Sequence, residues 1–295
     1  MTNSFSRRNF LKTSTIAAAG AAFMPRIPLD IPTVQHLGIQ LWSVREDMKK
    51  DTAGTLKALA KMGYKEVEGF GYSDGKMFGI SFKEFVNMLR DNGLTMPSSH
   101  VMFDSKAYDA GTKSLTDAAK KSIDDAASAA QQYIVCPYMA DPDRLIIDKM
   151  IPVYQAAAEY AQKAGVRFGY HNHDFEFDKK GPDGRLIIEW LLHEIDPKLM
   201  TFEMDIYWVK FAKYNPLDWF KIYPGRWELC HAKDMAATDK RESIEVGDGV
   251  IDFNEIFRQS KTAGLKYYII ELENYVTTPI QGAERSIQGF NKLKF

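Results

Sequence analysis

The residues of this 295-residue chain that could do chemistry come in pairs spaced two apart: His171 with His173, Glu203 with Asp205, His231 with Lys233, and Glu271 with Glu273. In an extended strand that spacing puts both side chains of a pair on one face. The residues around and between them (Phe202, Met204, Ile206, Ile270, Leu272) are apolar, as packing on the opposite face requires. Gln40, Glu68, His100 and either Cys136 or Tyr138 end four other short β-rich runs in the same way. Imidazole and carboxylate donors without thiolates suit one divalent ion, Mn2+, Zn2+, Co2+, Mg2+ or Fe2+, rather than a structural zinc. Such an ion polarises a carbonyl and stabilises the enediolate left when a neighbouring proton is removed. A single His at a strand end is commonly structural. Seven or eight ionisable groups at one mouth are costly to bury together unless a metal or substrate needs them.

The elements that must position these residues share one pattern. Gly63, Gly93, Gly165, Gly225 and Gly264 each precede a short β-rich run, and four of them follow a helical stretch that a left-handed Gly would close. The runs LGIQLW, YIVCPYM and MTFEMDIYW bring the strands to eight. Helical patterns lie between them at Thr52–Met62, Phe82–Asp91, Lys113–Gln131, Ile151–Ala164 and Asn254–Ala263. This alternation predicts an α/β fold with a parallel sheet, and eight units in one domain over 37–295 match a (β/α)8 TIM barrel. No Gly-rich phosphate loop supports a doubly wound sheet. In a barrel the polar strand ends gather at the C-terminal mouth, where Trp42, Tyr138 and Trp208, with Gln40, would contact substrate.

Composition sets the class: 45% hydrophobic and 26% charged residues describe a globular protein with a sizeable core. The net charge of −1 gives no electrostatic footprint for nucleic acid. Cys136 and Cys230 are too few for a disulfide framework. Residues 6–12, Ser-Arg-Arg-Asn-Phe-Leu-Lys, precede an uncharged Ala-rich run from Thr13 to Met24. This resembles a twin-arginine signal peptide over 1–24, followed by a Pro-rich lead-in over 25–36. The run is shorter than the roughly 20 residues a membrane span needs. The resemblance implies passage through the twin-arginine export machinery to the periplasm, with no membrane attachment after cleavage. Oligomeric state is open.

The strings GYHNHDFEF (169–177), MDIYW (204–208), CHAKD (230–234) and IIELEN (269–274) resemble the xylose isomerase-like TIM barrels, which include sugar phosphate isomerases/epimerases and relatives of endonuclease IV. The resemblance implies one divalent ion held by His171, Asp205, His231 and Glu271, and a small-molecule carbohydrate substrate. It further implies that His100 and His173 line the site and that Lys233 reaches a substrate oxygen, with the base among Glu68, His100, His173 and Glu273. The family default is a metal-dependent carbohydrate isomerase or epimerase that abstracts a proton α to a carbonyl. One departure bears on this: the family's 3-epimerases carry Glu where this chain has His171. That change brings in a second reading, a lyase or hydratase acting on 3-keto-glycosides, or an elimination like that of inosose dehydratase. A non-catalytic sugar-binding barrel is the third reading. A DNA-repair role is opposed by the acidic charge and the exported location. Export also argues for free sugars, keto-sugars or glycosides rather than sugar phosphates.

Overall fold

The computed structural model describes residues 36–295. The expected leader at 1–24, and all but the last residue of the lead-in at 25–36, lie outside the described residues. Eight parallel strands close a barrel: β1 (Leu37–Gln40), β2 (Glu66–Gly69), β3 (Thr95–His100), β4 (Tyr133–Cys136), β5 (Arg167–His171), β6 (Met200–Asp205), β7 (Trp227–Ala232) and β8 (Tyr267–Ile270). Each pairs with its sequence neighbours, and β1 pairs with β8 to close the ring. The fold is therefore the single-domain TIM barrel that the unit count predicts. Among the described residues no helix is long and apolar enough to cross a membrane.

Helices at Thr52–Met62 and Phe82–Asp91 fall where the sequence places them. Ser81 starts the second with a capping box, accepting from the Glu84 N–H while Glu84 accepts from the Ser81 N–H. The helix expected over 113–131 is shorter, Asp117–Ser128, because Ser114–Leu115 instead pairs with Tyr108–Asp109 and Thr116 caps the helix. The one expected from Ile151 begins a turn earlier, at Ile147. Burial of Ile147 and Met150 anchors that turn although Pro152 removes a backbone donor. The expected helix over 254–263 is two short pieces, Phe253–Phe257 and Ser260–Ala263.

The barrel interior has an apolar floor and an ionisable top. Tyr133, Val135, Leu229, Tyr267 and Ile269 form the floor on β4, β7 and β8. Outward residues such as Phe168, Tyr170, Phe202 and Met204 join the larger core under the helices. Tyr154 of the Ile147–Ala164 helix packs on Phe168 and Tyr170, with ring centroids 6.0 and 5.5 Å away. Two register shifts set which side chains face inward. One lies between Phe202 and Glu203 on β6 opposite β7, the other between Glu66 and Glu68 on β2 opposite β3. On β3 the bulge falls near Pro97, which has no N–H to give the ladder. A Cβ built on the outward Gly69 would meet both Met96 Sδ and Ser99 Cβ, so these residues, three apart, share the outer side and His100 is left inside.

Gly264 closes the Ser260–Ala263 helix at φ +87° and lies against the Gly225 turn, where an added Cβ would come within 2.9 Å of Gly225 Cα. Gly184 has nearly the same φ, +86°, in open space. Gly264→Ala is expected to lose about 1 kcal/mol or more of unfolding free energy beyond Gly184→Ala, because only the former adds a backbone clash to the left-handed strain. Urea unfolding of the two variants checks this; equal losses would remove the close-approach argument.

Candidate metal centre

The site is built upward from the strand ends of β5 to β8. His171 ends β5 with Nδ1 3.1 Å from the Pro137 carbonyl oxygen. A carbonyl only accepts, so Nδ1 carries a hydrogen and Nε2 is the nitrogen turned to the cluster. That Nε2 is buried without a hydrogen-bond partner and lies 3.5 Å from Asp205 Oδ2. Asp205 ends β6 and starts the next helix, its Oδ1 accepting from the Trp208 N–H at 2.9 Å. Its own N–H donates to Asn172 Oδ1 at 3.1 Å, which ties the β5 and β6 ends together. His231 on β7 sets Nδ1 3.0 Å from Glu271 Oε2 and 3.9 Å from Asp205 Oδ2. One donor atom from each of His171, Asp205, His231 and Glu271 lies within 4.8 Å of all the others.

Lys233, the residue that follows β7, enters the same cluster. Its ammonium, with no exposed surface, lies 2.9 Å from Asp205 Oδ2, 2.6 Å from Glu271 Oε2 and 2.7 Å from Glu273 Oε1. Burial by itself would raise the Asp205 carboxyl, but Lys233 and His171 outweigh it and hold the pKa at about 2. Burial is likewise outweighed at Glu271, where Lys233 and His231 hold the carboxyl well below its usual range. Asp205 and Glu271 thus stay ionised beside Lys233, and theirs is negative charge of the kind a divalent cation would balance. That charge, together with the unpartnered Nε2 of His171, makes the donor set fit a metal.

A second group lies beneath. His231 Nε2 is 2.8 Å from Glu68 Oε2 and 3.2 Å from Glu203 Oε2, and His100 Nε2 is 3.1 and 2.7 Å from the same two oxygens. Gln40 Nε2 donates to Glu68 Oε2 at 2.8 Å. Burial would lower His100, but Glu68 and Glu203 raise it to about 9. Glu68, His100, Glu203 and His231 also satisfy the spacing of a metal group, and His231 belongs to both clusters. With Nδ1 turned to the upper cluster, its Nε2–H donates to Glu68, an arrangement that fixes the ring for ligation.

A cavity of about 840 Å3 opens above. His100, His171, His173, Glu271 and Glu273 border it, as do Trp42, Tyr138 and Trp208. The structure thus gathers the expected ligand set and most expected substrate contacts. Gln40, Glu68 and Lys233 instead lie below the cavity wall, fully buried, so they meet their neighbours rather than the open space. Cys136 was one of two expected inward residues on β4; it faces outward, because Tyr133 and Val135 take the inward positions. Its Sγ lies 4.0 Å from Tyr154 Oη, and Tyr138 borders the cavity in its place.

His173 forms part of the cavity wall, 5.3 Å from the Tyr138 ring and 5.5 Å from that of Trp208. Burial, then His171 and Lys233, hold its pKa well below the usual value, so the ring is neutral. Its backbone N–H donates to Glu176 Oε2 at 2.8 Å, and the Tyr170 hydroxyl donates to Glu176 Oε1 at 2.6 Å.

Sequence reasoning missed three side chains. Glu203 was placed on the Asp205 face but not in the site; its inward parity, one step deeper, was the available signal. Glu176 and Asp234 carried none, because their partners come from folded turns. Asp234 accepts from the backbone N–H groups of Met235, Gly247, Gly249 and Ile251, holding the loop after β7 against the barrel.

The sequence profile of the Xylose isomerase-like TIM barrel family matches residues 56–293. A solved sugar phosphate isomerase/epimerase from Parabacteroides distasonis ATCC 8503 is 26% identical with a TM-score of 0.76, covering 87% of this chain and 98% of that one. A second from the same organism is 28% identical with a TM-score of 0.73, covering 88% and 94%. A solved IolI protein with a bound zinc atom shares the fold at 13% identity and a TM-score of 0.65, covering 86% and 96%. No curated protein sequence matches the chain. The chain belongs to the xylose isomerase-like TIM barrel family.

Burial pushes the Glu176 carboxyl up to about 7. Because the folded pKa exceeds the unfolded one, the native state holds the extra proton, and this group's contribution falls as pH rises from about 4.5 to 7. Glu176→Gln is expected to flatten the stability-against-pH curve across that window relative to wild type, by up to about 1.4 kcal/mol per pH unit. Thermal unfolding of both proteins between pH 4 and 8 measures it, and parallel curves would refute it.

Proposed function

We propose that this chain is a divalent-metal-dependent carbohydrate isomerase or epimerase that removes a proton from the carbon next to a carbonyl. The observation that carries the reading is the His171, Asp205, His231 and Glu271 quartet, gathered within 4.8 Å, two of whose members, His171 and Glu271, border an aromatic-walled cavity. The two Parabacteroides distasonis relatives, both sugar phosphate isomerases/epimerases, support the substrate class. Those four residues would hold the ion, which supplies polarisation of the carbonyl and balances the negative charge left by the departing proton.

The remaining steps fall to the chain itself. His173 is the proton acceptor. It is neutral, it borders the cavity, and its Nδ1 is buried with no hydrogen-bond partner among the described residues. Tyr138 and Trp208 flank it and offer flat apolar faces to a sugar ring. Lys233 fixes Glu271 and Glu273, and Glu68 fixes His231, so the wall keeps its shape as charge develops. Returning the proton to the neighbouring carbon, or to the opposite face, yields an isomer or epimer.

One observation favours a second reading, elimination. A symmetrical exchange needs a proton-accepting carboxylate on β5 facing Glu271, and this chain has His171 there, its Nε2 turned to Asp205. After proton removal, expulsion of an oxygen substituent β to the carbonyl would make the chain a lyase or hydratase on keto-sugars or 3-keto-glycosides. In D2O the metal-loaded protein is expected to place deuterium on the carbon next to the carbonyl. Product mass then separates the readings, since isomers keep the substrate mass and elimination lowers it. No exchange and no product from any keto-sugar would sink both.

Glu271→Gln is expected to weaken divalent-ion binding at least 100-fold while the circular dichroism spectrum is kept, because a neutral amide replaces a charged ligand. Wild-type occupancy by elemental analysis would sink the ligand assignment.

We also propose periplasmic location through the twin-arginine route, on the strength of Arg7 and Arg8. Replacing both with Lys is expected to hold the precursor in the cytoplasm, as cell fractionation would detect. Unimpaired export of the double variant would refute it.

A further inference from the structure

The cavity is larger than the reaction needs, and its surplus wall joins large apolar side chains to one guanidinium. Its volume, about 840 Å3, is near the top of the roughly 300–1,000 Å3 range of sites that enclose drug-sized ligands, whereas a single pyranose ring is much smaller. The quartet, His173, Tyr138 and Trp208 lie at the ends of β4 to β8 or in the segments that directly follow them. The opposite arc is formed by the loops after β1, β2 and β3, which supply Trp42, Phe70 and Met102. Trp42 and Met102 are 42% and 46% exposed, although both are large and apolar. Trp42 is nonetheless held in place: Phe70 packs edge-on at 5.2 Å, and the Arg45 guanidinium lies 4.6 Å from the ring centroid. Arg45 is anchored through Nη1 alone, to the Trp42 carbonyl oxygen and the Tyr275 hydroxyl. Its Nε and Nη2 have no hydrogen-bond partner among the described residues, and the side chain borders the cavity.

A braced aromatic ring exposed to water beside free guanidinium donors is a surface shaped for a flat cyclic group with oxygen acceptors on its edge. We propose that the arc of Trp42, Phe70, Met102 and Arg45 is a second subsite, which binds the cyclic group joined through the anomeric oxygen to the reacting sugar. The substrate is then a glycoside carrying a second ring, either another pyranose or an aryl aglycone, rather than a free monosaccharide. This inference rests on the carbohydrate reading above and narrows its substrate class. It also fits an elimination in which that second ring departs with the anomeric oxygen: the proton leaves C2 of a 3-keto sugar, the C1–O bond breaks with its electron pair staying on oxygen, and the leaving oxygen takes a proton.

The test is calorimetric binding of methyl glucoside, phenyl glucoside and a glucosyl-glucose disaccharide, in both anomers and as their 3-keto forms, to the mature protein. At least one two-ring ligand is expected to bind ten-fold or more tightly than its methyl counterpart. Trp42→Ala and Met102→Ala are each expected to bring that ratio toward one. A disaccharide preference identifies a second sugar as occupant, and a phenyl preference an aryl aglycone. If methyl and two-ring ligands bind equally, or if neither variant changes the ratio, the second subsite is overturned and the carbohydrate reading stands. If no sugar binds with or without added Mn2+ or Zn2+, the carbohydrate reading fails and takes the subsite with it.

Discussion

A fully buried ammonium is the interaction on which this barrel mouth depends. Lys233 has no water to solvate it, and its three short contacts to Asp205, Glu271 and Glu273 replace that hydration. Buried charges survive only when paired and hydrogen-bonded, since each would otherwise lose several kcal/mol of solvation. The dependence is mutual: Asp205 and Glu271 stay ionised because the ammonium is beside them. Removing Lys233 would leave three acids crowded together, and removing the acids would strand the cation.

His231 joins this upper cluster to the acid-histidine group below. One ring nitrogen faces Glu271 and Asp205, the other Glu68 and Glu203. Its orientation is therefore fixed from both sides, as a candidate ligand that must not turn would require. The order from β1 to β7 is continuous: Gln40 steadies Glu68, and Glu68 steadies both His100 and His231. Side chains that never reach the cavity decide the shape of those that do.

Carboxylates also fasten the loops that carry the site. Asp205 caps the helix that carries Trp208, Glu176 holds the turn after His173, and Asp234 gathers four backbone donors of the loop after β7. Buried loop backbone needs partners, and a carboxylate can accept several N–H groups at once. The same residue type thus serves as candidate ligand, helix cap and loop clamp within one barrel end, and geometry alone separates the roles.

The alternation of helix, glycine and strand was enough to read the barrel, because eight such units leave few other ways to bury their apolar faces. Period-two spacing likewise placed His171, Asp205, His231 and Glu271 on inner faces, since side-chain direction in a strand is a local property. Local rules failed where a bulge or a long-range partner intervened. Cys136 faces outward because β4 turns Tyr133 and Val135 inward, and the β3 bulge near Pro97 sets the phase of His100. Gln40, Glu68 and Lys233 have inward side chains, but only the closed barrel decides how deep they lie and that their hydrogen bonds go to one another. Direction along a strand is written in the sequence; depth, and which charge meets which, depends on the neighbouring strands and so belongs to the tertiary structure.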